Sequence, residues 1–116
     1  MLKKILGMLG NSQHGTGVWR QGDVFIVPIK QLPGGLRTRR PILAEGEVTG
    51  HAHRLADPAS AQVYGDGNSD QLFLDVKADN ATVIHEEHGP ITVPKGSYQV
   101  RIQREYHPKE IRRVVD

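Results

Sequence analysis

The sequence predicts a mainly β protein, built as a small single-domain barrel, roll or sandwich of short strands with short terminal helical segments. Short runs of β-branched and aromatic residues recur along the chain, and clusters of Gly, Pro, Asn and Asp separate them. The 116 residues suit one domain, and the 37% hydrophobic content leaves that domain a modest core. No internal repeat is visible, so a solenoid is not expected.

The two ends of the chain differ from its centre. We predict an N-terminal segment and flexible link over residues 1–17, a β domain over 18–106 and a C-terminal tail or short helix over 107–116. Apolar residues of the first segment have helical spacing, which favours either a short helix that docks on another subunit or a frayed tail. Lys3 and Lys4 interrupt this segment, which is far shorter than the roughly 20 residues of a membrane span. A cytoplasmic protein with no membrane partner is therefore expected.

The first half of the β domain contains two predicted strands. The run Val24–Ile29 contains Pro28, which suits an edge or first strand. Residues 33–41 are predicted to be a polar loop because they combine Gly, Pro and Arg. Residues 42–55 alternate well enough for a strand, in which Gly46 and Gly50 are expected to be bulges.

The second half contains the clearest turn signals. Residues 55–63 predict a turn and a short strand, and GDGNSD at 65–70 predicts a hairpin turn. A strand over 71–78 should follow, with another turn at residues 79–81. Two or three further strands are expected up to residue 106, with breaks at 89–90 and 94–96.

Composition excludes several chemistries. The chain has no cysteine, which removes disulfides, thiolate ligands and cysteine nucleophiles together. It has no G-x-S-x-G elbow and no dinucleotide-binding glycine motif. A formal charge of +2 and dispersed arginines do not make the basic face that phosphate binding needs, so nucleic acid is not an expected partner. Any metal must be held by nitrogen and oxygen.

Four of the six histidines fall in two short clusters, GEVTGHAHR at 46–54 and IHEEHGP at 84–90. His51 and His53 are two residues apart, so they project from the same face if that segment is a strand. An extended second cluster would instead pair His85 with Glu87 on one face. A turn before Gly89-Pro90 would let His85 and His88 converge.

Either arrangement predicts a metal site with two or three histidines and a carboxylate, which suits zinc, manganese, iron or nickel. The candidate ligands are His51, His53, His85, His88 and Glu87. The alternative is that the histidines are strand-end residues bonded to backbone or to each other, or a titrating cluster without a metal. No catalytic residue is assigned, and whether the protein is an enzyme is left open.

Part of this pattern resembles the cupin family, small β-barrels whose motifs combine G, H-x-H and P-x-G. Gly46, His51 and His53 match the first motif, and Pro94 and Gly96 match P-x-G. The resemblance implies a metal held by histidines on a β scaffold. The sequence departs from it because no histidine follows Gly96 at the expected spacing.

A second resemblance covers residues 21–116. The chain is similar to a group of small uncharacterised bacterial proteins that share GDV, GEVTGHAHR, HEEH-x-P-I, P-x-G-x-Y and QREY-x-P-x-x-I-R. The matching segments here are residues 22–24, 46–54, 85–91, 94–98 and 103–112. The resemblance implies kinship and supplies no reaction.

Three hypotheses follow for function. The first is a non-catalytic structural or assembly module that forms a homo-oligomer, with a trimer as the predicted number, and binds a divalent metal through its histidines. The second is a cupin-like metalloenzyme, which needs an open coordination position and a pocket. The third is a nucleic-acid or partner-binding adaptor that uses Arg37, Arg39, Arg40, Arg101 and Arg104. The sequence assigns no role to His14 or His107.

Overall fold

The computed structural model of the protein describes residues 17–46, 50–67 and 69–103, and these confirm the mainly β class. The described residues form eight strands and a one-turn 3-10 helix, with no helix of seven or more residues. The strands are β1 (Trp19–Gln21), β2 (Val24–Ile29), β3 (Arg37–Arg39), β4 (Ile42–Glu45), β5 (Ala52–Leu55), β6 (Ala61–Gly65), β7 (Leu72–Ile84) and β8 (Ile91–Ile102). The predicted terminal helical segments lie outside the described residues, as do His14 and His107.

All eight strands belong to one antiparallel sheet that curls into a half-barrel. The main order is β1-β2-β8-β7-β5-β4, while β6 pairs with β7 and β3. The 13-residue β7 is the spine of this sheet, since β8 pairs with both of its halves. On its other edge, β7 pairs with β6 along its first half and with β5 near its end.

The core lies on the concave side of the curl and follows the period-2 alternation of the strands. Its fully buried side chains come from β2, β4, β6, β7 and β8: Val24, Ile26, Leu43, Val63, Leu74, Val76, Val83 and Val93. The alternation stops on β7 at Lys77–Asn80, where all four residues are exposed and the pairing with β8 shifts register. This bulge bends β7, which allows one strand to serve both halves of the sheet.

The structure corrects four local predictions. Residues 42–55 do not form one strand but two, β4 and β5, which pair as a hairpin around Gly50, where φ is +89°. The predicted loop at 33–41 contains β3, because its arginines pair with the edge of β6. The predicted turn at 79–81 and break at 94–96 both lie inside long strands, at the β7–β8 bulge.

Two other predictions agree with the structure. The turn predicted at 65–70 connects β6 and β7, and the break at 89–90 lies between β7 and β8. The strand Val24–Ile29 has the predicted bounds, although β2 lies between β1 and β8 rather than at the edge. Pro28 is tolerated there because β1 pairs only with Val24 to Ile26 and leaves that end of β2 uncovered on one side.

No helix among the described residues is long and apolar enough to cross a membrane.

Leu74 tests the assignment of the core, because its side chain is fully buried on the first half of β7, between β6 and β8. Leu74→Ala should lower the free energy of unfolding by about 2–5 kcal/mol, since it removes buried methyl groups and leaves a cavity. Leu32→Ala, in a partly exposed loop position, should cost less than about 1 kcal/mol. Urea unfolding of both variants measures the difference, and equal losses would contradict this core.

Candidate metal centre

The register of β5 against β7 brings the two histidine segments together. Arg54 pairs with Ile84 and Leu55 with Val83. Continuing this antiparallel register by one residue puts His53 opposite His85, which follows the end of β7. Directly opposed residues have adjacent side chains. Strand pairing therefore joins GEVTGHAHR to IHEEHGP.

All four predicted histidines belong to one cluster. The ring centroids of His53 and His85 are 4.3 Å apart, and those of His85 and His88 are 4.7 Å apart. His51 approaches His85 edge-on at 5.8 Å, and His53 stacks with His88 at 5.8 Å. The segment after β7 turns at residues 86–88, which is the predicted alternative in which His85 and His88 converge.

A buried glutamine fixes the orientation of His53. The Nε2 amide of Gln21 donates to the carbonyl oxygens of Val83 and Gly89, both at 2.9 Å. Because both amide hydrogens are used in this way, Oε1 is left as an acceptor, and it lies 2.8 Å from Nδ1 of His53. Nδ1 must therefore carry the ring proton of neutral His53. Its lone pair is on Nε2.

The surroundings of His53 favour its neutral form. Its side chain is only 6% exposed. Burial and then the neighbouring His85 lower the pKa of His53 from 6.5 to about 4, with a smaller contribution from His88 in the same direction. The carboxylates of Asp23 and Glu86 oppose this shift but do not cancel it. At neutral pH the ring is therefore an uncharged nitrogen donor, which is the form that binds metals.

Glu86 is held as a carboxylate at the rim of the cluster. Its Oε1 accepts the backbone N–H of Ala52 at 2.9 Å, and its Oε2 accepts a charged hydrogen bond from Arg54 at 2.6 Å. The Ala52 N–H, together with the Arg54 guanidinium, lowers the pKa of Glu86 to about 2. A carboxylate has about four lone-pair sites, so these two bonds leave capacity for a cation.

Three donor atoms converge in a way that a metal ion could use. One ligand atom each from His51, His85 and Glu86 lies within 4.8 Å of the other two. Donors around a tetrahedral zinc ion are about 3.4 Å apart, given bonds of about 2.0–2.2 Å. Contraction by roughly 1 Å would therefore close this set, which we call the His51–His85–Glu86 triad.

The triad contains Glu86, whereas the sequence predicts Glu87 as the carboxylate ligand. Glu87 is 67% exposed, and its Oε2 lies 3.7 Å from Nδ1 of His51. Its backbone N–H donates to Nδ1 of His85 at 3.0 Å. That bond occupies one lone pair of His85 and places its ring proton on Nε2, so metal binding through either nitrogen must displace the Glu87 amide.

Besides the two histidine segments, the β1–β2 turn also lies against the cluster, and the sequence did not predict this contact. Gly22 has φ +62°, and a Cβ built on it would lie 2.6 Å from Nε2 of His88. The next residue, Asp23, has its Oδ1 3.8 Å from Nε2 of His53. The GDV motif was the only sequence signal for this turn, and nothing in it indicated proximity to histidines some 30 or more residues away.

The residues that match the second cupin motif have a different local role. Pro94 and Gly96 lie on β8 at the bulge opposite Val76 and Asn80. The buried Tyr98 donates its hydroxyl to the Pro94 carbonyl at 2.7 Å, and a Cβ on Gly96 would lie 3.4 Å from that hydroxyl oxygen. Burial raises the pKa of Tyr98, so it remains a donor. Trp19 packs edge-on against this ring at 5.9 Å.

The fold and this site define a class, namely single-domain antiparallel β proteins with a histidine cluster at one end of a curled sheet. A family model described as Domain of unknown function (DUF8820) matches residues 20–103, and the chain belongs to that family. The matched range contains the whole cluster, from Gln21 to Gly89. No curated protein and no solved structure matches the chain. The family agrees with the predicted kinship to an uncharacterised group, while the cupin resemblance remains a prediction.

The lowered pKa of His53 predicts a loss of stability in mild acid. Below pH 6.5 the unfolded chain takes up a proton at this residue that the folded chain accepts only near pH 4. The free energy of unfolding should therefore fall by about 2 kcal/mol between about pH 7 and pH 5 through His53 alone. Urea unfolding in the presence of a chelator measures this slope.

His53→Gln is the matched variant, because it removes the titrating ring and leaves the other histidines in place. Between about pH 7 and pH 5, its unfolding free energy should fall by about 2 kcal/mol less than that of the unaltered chain. Identical slopes for the two proteins would show that His53 is not held neutral by the fold.

Gly22 should not tolerate a side chain. Gly22→Ala should lower the free energy of unfolding by about 1–2 kcal/mol, because its backbone is left-handed and the methyl group would displace the His88 ring. Gly34→Ala is the control, since its Cβ would meet nothing within 4 Å, and should change stability by less than about 1 kcal/mol. Thermal or urea unfolding measures both, and a neutral Gly22→Ala would contradict this turn geometry.

Proposed function

We propose that this protein is a divalent-metal-binding β module whose first ion is held by His51, His85 and Glu86. The observation that carries the proposal is the convergence of one donor atom from each of these residues to within 4.8 Å of the others. Imidazole nitrogens with one carboxylate oxygen suit zinc, and also manganese, iron or nickel. A non-catalytic structural role is the form of this function that we advance.

The elements that hold the ligands support this reading. His51 precedes β5 and His85 follows its partner strand β7, so the two histidines stand at paired strand ends. Glu86 is fixed by the Ala52 amide and by Arg54, which leaves its carboxylate charged and oriented. A ligand that is already hydrogen-bonded loses less freedom when it binds an ion.

The clefts and the arginines of the described residues offer less support for the enzyme and adaptor hypotheses. Two open clefts, of about 510 and 380 Å³, are lined by other residues, chiefly from β3 and β4 and from β2 and β8. Two of the arginines named for an adaptor have local partners in separate parts of the fold, and Arg104 lies outside the described residues. Arg40 pairs with Glu45 at 3.0 Å, and Arg101 donates to Gln99 at 3.0 Å.

Self-assembly is the second part of the proposal. Among the described strands, β1, β3 and β4 each pair with one other strand, so each has an open edge. Open edges can pair with another chain. A homo-oligomer, with a trimer as the predicted number, would bury such edges.

Cobalt(II) is a suitable probe for the metal, because its visible spectrum changes when histidine and carboxylate ligands replace water. Titration of the untagged chain should show saturable binding, and His51→Ala with His85→Ala should remove the ion that the triad holds. Glu86→Gln should weaken binding by at least about tenfold. The NMR signal of the Glu87 amide should move on binding, because the ion displaces its bond to His85.

Glu45→Gln is the matched control for Glu86→Gln. Glu45 is also an exposed glutamate paired with an arginine, but it lies on β4 and outside the cluster. Its substitution should leave cobalt affinity unchanged. Absence of saturable binding by the unaltered chain would reject the proposed function, as would equal effects of the two glutamate variants.

A further inference from the structure

The β1–β2 turn places a carboxylate near His53, which is the one buried histidine among the residues that the structure describes. Gly22 and Asp23 form a two-residue connection between Gln21 and Val24, which are the last paired residues of the hairpin. Gln21 points inward and holds Nδ1 of His53, while Oδ1 of Asp23 lies 3.8 Å from Nε2 of the same ring. Two residues of the β1–β2 hairpin, Gln21 and Asp23, therefore approach the two nitrogens of His53.

The hydrogen bonds of Gln21 leave two electron-rich atoms facing each other. The amide of Gln21 cannot accept through its nitrogen, so His53 carries its proton on Nδ1 and a bare lone pair on Nε2. A carboxylate oxygen, Oδ1 of Asp23, lies 3.8 Å from this nitrogen. A separation of 3.8 Å is too long for a hydrogen bond between them.

A cation fits the gap between these two atoms. An ion about 2.1 Å from each would subtend an angle of about 130° at the metal, close to the angles of four- and five-coordinate zinc. The His53 side chain is 6% exposed and that of Asp23 is 61% exposed, so the nitrogen is fixed inside while the carboxylate meets solvent. Water can supply the remaining ligands from the Asp23 side.

We infer that His53 and Asp23 form a second divalent-cation position, with Nε2 of His53 and Oδ1 of Asp23 as its protein ligands. It takes an ion of the zinc class, since its donors are one imidazole nitrogen and one carboxylate oxygen. It lies beside the His51–His85–Glu86 triad, because the rings of His53 and His85 are 4.3 Å apart. Gln21 is its positioning residue.

The inference extends the proposed function but has separate ligands. The triad uses side chains from the two histidine segments, and the second position uses Asp23 from the β1–β2 turn and His53 from β5. Loss of one set therefore leaves the donors of the other in place. This separation allows the two proposals to fail independently.

The first measurement is the zinc stoichiometry of the untagged chain, determined by equilibrium dialysis and metal analysis. The unaltered chain should bind two zinc ions and Asp23→Asn should bind one. Asparagine keeps the shape of the side chain. It also leaves intact the backbone hydrogen bond from the N–H of Gln103 to the carbonyl oxygen of residue 23, at 2.8 Å. Asp79→Asn is the matched control, an exposed aspartate at the β7 bulge, and should still bind two.

The second measurement tests whether Nε2 of His53 is the ligand atom, and it needs no variant. In chain labelled with nitrogen-15 at histidine, long-range proton–nitrogen NMR at neutral pH should show His53 protonated at Nδ1 and bare at Nε2. Zinc should shift the Nε2 signal of His53. A proton on Nε2 before zinc is added, or an Nε2 signal that zinc does not shift, would overturn the inference.

The outcomes separate the two proposals. One ion that is lost in His51→Ala with His85→Ala and kept in Asp23→Asn would uphold the triad and overturn the second position. One ion that is kept in the double variant and lost in Asp23→Asn would uphold the second position and overturn the triad. No bound zinc in the unaltered chain would overturn both.

Discussion

The side-chain amide of Gln21 joins β1 to three parts of the molecule with which β1 does not pair. Its donors reach the last part of β7 and the loop before β8, and its acceptor reaches His53 on β5. In the sheet order β1 is three places from β7, so this contact spans the open side of the half-barrel. The curl of the sheet makes the contact possible, and the contact in turn closes that end. An unpaired polar group here would be costly, since Gln21 is 2% exposed.

The charges of the cluster are arranged by depth, with a neutral histidine inside and carboxylates at the solvent side. His53 is desolvated and held uncharged, while the carboxylates of Asp23, Glu86 and Glu87 stand at its solvent side. This order limits the cost of burial, because burying a neutral imidazole costs less than burying a charge, which needs full compensation. Arg54 balances Glu86 at 2.6 Å, so one carboxylate is already neutralised locally. A cation would meet the charge of Asp23 and Glu87 and, in the triad, the lone pairs that Glu86 keeps beside its bonds to Ala52 and Arg54.

Local patterns predicted the strands well where they coincide with burial, as in Val24–Ile29. They failed where one pattern continued across a turn, as in residues 42–55, because alternation does not reveal where a chain reverses. The two-residue spacing of His51 and His53 and a turn before Gly89, one of two alternatives, could be read from the sequence, but the β5–β7 register that joins the two segments could not. The roles of Gln21 and Asp23 could not be predicted, because the curl of the whole sheet brings them to His53. Gln21 reaches backbone atoms 62 and 68 residues away in the chain.

His53 and His85 differ in whether the protein supplies a hydrogen-bond donor to the ring nitrogen that carries the lone pair. In a self-satisfied cluster every buried lone pair would find a donor, as Nδ1 of His85 finds the Glu87 amide. His53 differs, because its Nδ1–H donates a hydrogen bond to Gln21 and its Nε2 has a carboxylate oxygen 3.8 Å away instead of a donor. An ion must therefore compete with a backbone amide for His85 but with no protein donor for His53 among the described contacts. In the sites that we propose, His53 is the better prepared ligand because an ion has no hydrogen-bond donor to displace from its Nε2, whereas at His85 it must displace the Glu87 amide.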